Sequence, residues 1–363
     1  MTMVASPATN GRSALPPPLR VAPDMAASWQ NVSASYDDAA HAIVEAHARD
    51  GEPRDHPVMD LSTWGVVPRD GLFTLAPLHK GHGPLTLRST AFSNLMAKFN
   101  APTEFIRDHL PAPLQLAVCN WLLARHERLL PATLRMRGEE VAAVVSDRYA
   151  VLDPEDLFGC VRDALVRHSA LGNVVVKSLA TGPVDVLRLV FPNEQAAVRV
   201  GDVSALGLDI SSSCFGKSAV HIRGIVWRLK CTNGLRVAES SGGFSFRHVG
   251  DVDRLRAGIA DAIPTALVHA RGTLNRWRAS VDVMVENVAA LIDELRDLTH
   301  AERKLVEDRV KVESGTLDLL GPAPLYNVLN GITSAAHEAA PARRLELESA
   351  AGGLLVRHTR GAA

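Results

Sequence analysis

Aromatic residues make up only 5% of this 363-residue chain, and there are just four cysteines. The core must therefore rest on Val, Leu, Ile and Ala, within an apolar share of 47%. Cys119, Cys160, Cys214 and Cys231 are far apart and form no CxxC pair. That spacing favours reduced thiols in a cytoplasmic setting over a disulfide frame. An excess of one charge is also missing. The net charge is −1, which excludes a generally basic coat but leaves room for local patches. Long apolar runs are absent as well. The most apolar stretch, Leu114 to Ala124, contains Gln115 and Asn120 and is too short to span a bilayer. The N-terminus lacks the charged-then-apolar pattern of a leader. These absences predict a soluble cytoplasmic protein with no membrane partner.

Most signatures of catalysis are lacking too. There is no HExxH, no GxSxG and no dinucleotide fingerprint after a strand. Gly216-Lys217-Ser218 ends like a phosphate loop, but Ser211 stands where the first glycine is required. "SSSC" (Ser211 to Cys214) offers a nucleophile with no visible paired base. His79 and His82 lack a third ligand at useful spacing. Asp147 and Asp153 flank Tyr149, but Asp153 precedes Pro154, Glu155 and Asp156 and suits a helix cap. No catalytic residue, metal or cofactor is assigned, and a non-enzymatic role is favoured.

What is present divides the chain into four parts. Residues 1–60 carry four Arg against eight Asp or Glu and include "SALPPPLR", so they are expected to form a flexible acidic tail. Residues 61–250 are expected to form an α+β core domain. Within it, residues 91–130 have helical spacing, Glu139 to Ser146 reads as a strand, and a helix should run from Asp153 to about His168. "NVVVKSLA" and "VDVLRLVF" around Thr181-Gly182-Pro183 read as a hairpin, and further short strands follow to "GLRVAES". Residues 251–357 are expected to be helical and packed on that core, with 358–363 as a tail. Pro264 should break or kink the first of these helices. Val281, Val285, Val288, Ile292 and Leu295 form a seam that packs on the chain's own sheet or, as the alternative, joins a homo-oligomer. Thr299 and Glu302 form a capping box. The fold class is α+β: an antiparallel sheet flanked by helices, with a helical C-terminal region.

One strand stands out for its charge. From Cys214 to His248 six Lys or Arg face one Glu, a local net of +5. In "AVHIRGIVWRLKC" the alternation changes phase at Gly224. A β-bulge there would bring His221, Arg223, Arg228 and Lys230 onto one face, with Trp227 in the core. Arg236, Arg247 and His248 extend the patch, and Phe244 and Phe246 offer planes for unstacked bases. Cations that track phosphate beside aromatic planes are what single-strand binding requires.

Several segments together resemble a phage- and plasmid-borne family, domain of unknown function 932. They are "LRMRGEEVAAVVSDRYAVLDPEDLFGCV", "GDVSALGLDISSSCFGKSAVHIRGIVWRLKCTNGL", "FRHVG" and "LYNVLNGITSAAHEAAPARRLELESAAGGLL", spread over residues 85–357. Ser146-Asp147-Arg148-Tyr149 and Arg228 followed by Cys231-Thr232-Asn233-Gly234 are the most specific parts, and Asn330 is a further family-motif residue. The sequence departs from the family at "SSSCFGKS" and at Gly331, where Ala is usual. The resemblance carries no established activity. Its mobile-element setting, and a loose analogy to single-strand annealing proteins of the Erf and Red-beta type, imply binding of single-stranded DNA in annealing or recombination. The alternatives are a metal-dependent enzyme on nucleic acid or nucleotide, with Asp147, Arg148 and Tyr149 at its centre, and a scaffold or inhibitor that binds a host protein.

Overall fold

The structure is a computed structural model. It describes residues 16–79, 83–125, 130–168, 174–199, 201–228, 233–236, 243–295, 297–315 and 321–359, with backbone alone at 233–236 and 341–342. The chain begins with β1 (Ser28–Ala34), α1 (Tyr36–Asp50), β2 (Pro53–Val58), β3 (Trp64–Arg69), β4 (Leu72–Pro77) and β5 (Leu85–Leu87). Next come α2 (Ser89–Lys98), α3 (Ala112–Ala124), β6 (Ala132–Arg137), β7 (Glu140–Ser146) and α4 (Pro154–Arg167). The central strands are β8 (Val175–Thr181), β9 (Asp185–Arg199), β10 (Asp202–Ser212), β11 (Val220–Arg228), β12 (Asn233–Arg236) and β13 (Phe244–Phe246). The C-terminal part holds α5 (Val252–Ala279), β14 (Met284–Val285), α6 (Val288–Asp293), α7 (His300–Ser314), β15 (Ala323–Pro324), α8 (Leu325–Ala336) and α9 (Pro341–His358). The class is α+β, as the sequence predicts.

The chain forms two compact units. The first comprises residues 1–24 and 53–147. Its six-stranded sheet has the order β2-β6-β7-β5-β4-β3, antiparallel except where β5 meets β7. Phe73 and Phe92, with ring centroids 4.7 Å apart, anchor a core that includes Leu75, Leu87, Leu95 and Leu134.

The second unit comprises residues 25–52 and 148–363. Its sheet has the order β1-β8-β9-β10-β11-β12, with β13 pairing β11, and every pair is antiparallel. Along β11, Val220, Ile222 and Val226 point into the large core, where Ile259, Ile263, Ala266 and Ala270 of α5 meet them. Ile225 and Trp227 point the other way and join Val190 and Ala205 in a separate cluster. That second face also carries fully buried Arg188, which donates to Asp209 at 2.9 Å and to Glu348 of α9 at 3.0 Å. A buried charge of this kind needs such partners, and here they fix α9 against the sheet.

Four local expectations change. Composition predicts a tail over the first 60 residues, yet 28–58 form β1, α1 and β2. Helix α1 has a Ser35 cap and buries Tyr36, Ala39, Ile43 and His47, a stripe that overall charge conceals. Pro264 does not break α5, which runs unbroken for 28 residues. The burial of its apolar face outweighs one missing backbone bond. The seam from Val281 to Leu295 is not one helix but is divided between a turn, β14, α6 and the residues just after it, while its packing on the unit's own core agrees with the favoured expectation. Asp153 holds the N-cap position of α4 in an extended conformation, but its side chain makes no capping bond. The capping box of Thr299 and Glu302 is present.

Candidate functional site

The basic strand does not gather its charge on one face. β11 pairs with β10 in unbroken register from Ser204↔Arg228 to Ser211↔His221, so there is no bulge at Gly224. The change of phase has another cause. A Cβ on Gly224 would lie 2.7 Å from Ala270 Cβ and 3.0 Å from the Ala266 carbonyl oxygen. Glycine there lets α5 approach the sheet, and regular alternation places Arg228 opposite in direction to His221 and Arg223.

Arg228 is therefore a core residue. Its Nε and Nη2 donate to the Asp202 carboxylate at 2.7 to 3.0 Å, and Nη1 donates to Glu313 at 3.2 Å. The Tyr326 hydroxyl donates to the same Asp202 at 2.6 Å. Burial opposes its charge, but Asp202, Tyr326 and Glu313 together hold its pKa above the ordinary value. Arg199 lies over the Tyr326 ring at 4.7 Å and donates to Asn327 at 2.9 Å. Asn330, a turn further on in α8, is buried and donates to the Tyr326 carbonyl. This family-motif residue is part of the network's scaffold. Gly331 has a reason as well: a Cβ there would come within 2.7 Å of the Val310 backbone, where α7 crosses α8.

The other predicted contacts are dispersed. Arg223 is half-buried, lies across from Asp209 in the ladder, and is 3.0 Å from His221 Nδ1. Phe244 and Phe246 are half-buried and pack against the core, and the Phe246 ring meets Gly258 of α5. They support β13 and do not offer open stacking planes. Lys230, Cys231 and Thr232 lie outside the described residues, as do the side chains of Asn233 and Arg236.

A different group of residues converges at the end of the sheet where β10 finishes. Tyr149 pairs with Val249, and Arg148 accepts a backbone bond from Gly250 at 3.0 Å. The Tyr149 hydroxyl donates to the Ser213 carbonyl at 2.9 Å, and its ring stacks on His248 at 5.0 Å. Buried His248 contacts Ser212 Oγ through Nε2 and the Ala150 carbonyl through Nδ1, each at 3.2 Å. Ser213 Oγ accepts from the backbone N–H of Phe215 and of Lys217. Arg148-Tyr149 of "SDRY" and the "SSSCFGKS" and "FRHVG" segments, far apart in sequence, thus meet at one point. Arg148, Lys217 and Arg247 are exposed around it. Among the described residues none of these three has a carboxylate within ion-pair distance. Ser146 and Asp147 precede the group at the end of β7, in the first unit.

The base missing beside "SSSC" is His47 of α1. Its Nε2 lies 2.9 Å from both oxygens of Asp185, at the start of β9, and its Nδ1 lies 3.8 Å from Cys214 Sγ. All three side chains are buried. Burial works against an imidazolium, but the Asp185 bonds and the Cys214 contact raise the His47 pKa to about 10. His47 and Asp185 carry no motif that singles them out in the sequence. A usable signal existed, because His47 continues the stripe of Tyr36, Ala39 and Ile43, and a polar residue on such a stripe needs an internal partner. Among the described residues no group of three His, Cys, Asp or Glu side chains could hold a metal, and no helix is long and apolar enough to cross a membrane.

A family model described as "Domain of unknown function (DUF932)" matches residues 141–320. No curated protein and no solved structure matches the chain.

Proposed function

The chain belongs to the DUF932 family over residues 141–320, and from that premise we propose that it binds single-stranded DNA where the motif segments meet, as a non-enzymatic component of annealing or recombination in the cytoplasm. The supporting observation is that exposed Arg148, Lys217 and Arg247 all belong to the segments that meet in one hydrogen-bonded platform. Cations with no carboxylate at ion-pair distance among the described residues are available to phosphate, whereas Arg228, already engaged by two carboxylates, is not. The three lie in short connections between elements and none lies on a helix, the element that reads a duplex groove; a flexible single strand can follow such loops.

Three phosphate contacts correspond to a slope of about −2 in log affinity against log salt for a single strand. Fluorescence polarisation with a labelled oligothymidine at several salt concentrations measures it. The combined substitution Arg148→Ala, Lys217→Ala and Arg247→Ala should abolish both binding and slope while the melting temperature holds. Absence of binding at low salt, or a triple variant that binds like the parent, sinks the proposal.

A further inference from the structure

We propose that Cys214, held against the His47–Asp185 pair, is a modification site for small hydroperoxides, a function independent of nucleic-acid binding. Three parts of the chain supply the group: α1, the first residue of β9 and the turn after β10. Both Asp185 oxygens lie 2.9 Å from Nε2, which turns the ring so that Nδ1 faces the sulfur. Asp185 is thus a positioning residue. Phe215 stacks on His47 at 5.7 Å and covers the group. Cys214 and Phe215 are only 2% and 4% exposed, so bulky electrophiles are kept out. Hydrogen peroxide, close to water in size, needs only a small local opening to reach the sulfur, and the neighbouring Gly216 and Lys217 are exposed.

The chemistry balances with the peroxide as oxidant. In the thiolate–imidazolium form of the pair, Sγ attacks one peroxide oxygen, the O–O bond breaks and an S–O bond forms. The departing hydroxide takes the proton of Nδ1 and leaves as water. Sulfur gives up two electrons and becomes a sulfenic acid, and the peroxide is reduced. A cation beside the sulfur is the feature that distinguishes reactive from inert cysteines.

The chain contains its own comparison. Cys119 is fully buried, and desolvation pushes its thiol up to about 12. Cys160 is half-buried and donates to the Arg256 carbonyl at 3.2 Å, with its thiol also raised by burial. Exposure alone ranks Cys160 as the most reactive of the three, whereas the proposal ranks Cys214 first. The test treats the full-length native chain with limiting hydrogen peroxide, then follows oxygen gain on each cysteine peptide by mass spectrometry. Cys214 should oxidise at least about tenfold faster than Cys160. His47→Gln and Asp185→Asn should each slow Cys214 by about tenfold and leave Cys160 unchanged. A general loosening of the fold would instead speed both. The proposal is overturned if Cys160 reacts first, or if Cys214 reacts equally fast with Gln at position 47. Should that variant not fold, the ranking in the native chain alone decides.

Discussion

Arg228→Ala separates a structural charge from a ligand-binding one. The side chain and Asp202 are each 10% exposed, and Glu313 is 22% exposed. Removing the guanidinium leaves Asp202 buried without its cation. Breaking a buried pair by deleting one partner costs about 3–5 kcal/mol. Asp202 retains the Tyr326 hydroxyl at 2.6 Å, which places the loss near the lower end, about 3 kcal/mol. For a unit of about 240 residues that is a fall in Tm of roughly 6–12 °C. Urea unfolding should show a lower midpoint with an unchanged m-value. Below the transition, affinity for single-stranded DNA should equal that of the parent. Replacing Arg228 and Asp202 together by Met and Leu should recover most of the loss, because the buried carboxylate leaves with its cation and only Glu313, at 22% exposure, keeps a charge that water can reach. A variant with less than about 1 kcal/mol of destabilisation and weakened DNA binding would refute the assignment of Arg228 to the core.

Two further perturbations probe the same unit. Gly224→Ala places a methyl 2.7 Å from Ala270 Cβ and against the α5 backbone, and should cost about 1–3 kcal/mol in chemical unfolding; a neutral result would remove the close-approach account. The folded-state pKa of His47, raised to about 10, lies above its ordinary 6.5. Its stabilising contribution is therefore complete below about pH 6.5 and disappears as pH rises towards 10, where the native state gives up the proton that it had bound more tightly than the unfolded chain. The urea midpoint followed from pH 6 to 10 should decline in the parent and flatten in Asp185→Asn. Parallel curves would contradict the ion pair.

Much of the secondary structure was legible because it depends on local chemistry. The hairpin at Gly182, the helix opening at Pro154 and the Thr299 capping box each follow from neighbouring residues alone. Errors arose where a long-range contact decided the outcome. Gly224 has the signature of a bulge and also that of a close helix approach, and only the position of Ala270 selects between them. Charge in the first 60 residues obscured the apolar stripe of α1. Arg228 reads as exposed on a strand until Asp202, Glu313 and Tyr326, from β10, α7 and α8, close around it.

The site divides in the same way. Arg148, Tyr149, Arg247 and His248 could be named from their motifs, and the "SSSC" turn could be named as a nucleophile in search of a base. That base lies 167 positions away, on a helix outside the matched family segment. By itself the amino-acid order determined the α+β class, the antiparallel hairpins and the motif segments, since turns, caps and alternation are short-range. Which cations face solvent, and which imidazole meets Cys214, was decided only in the tertiary structure, because burial and ion pairing depend on groups that the chain brings together from distant positions.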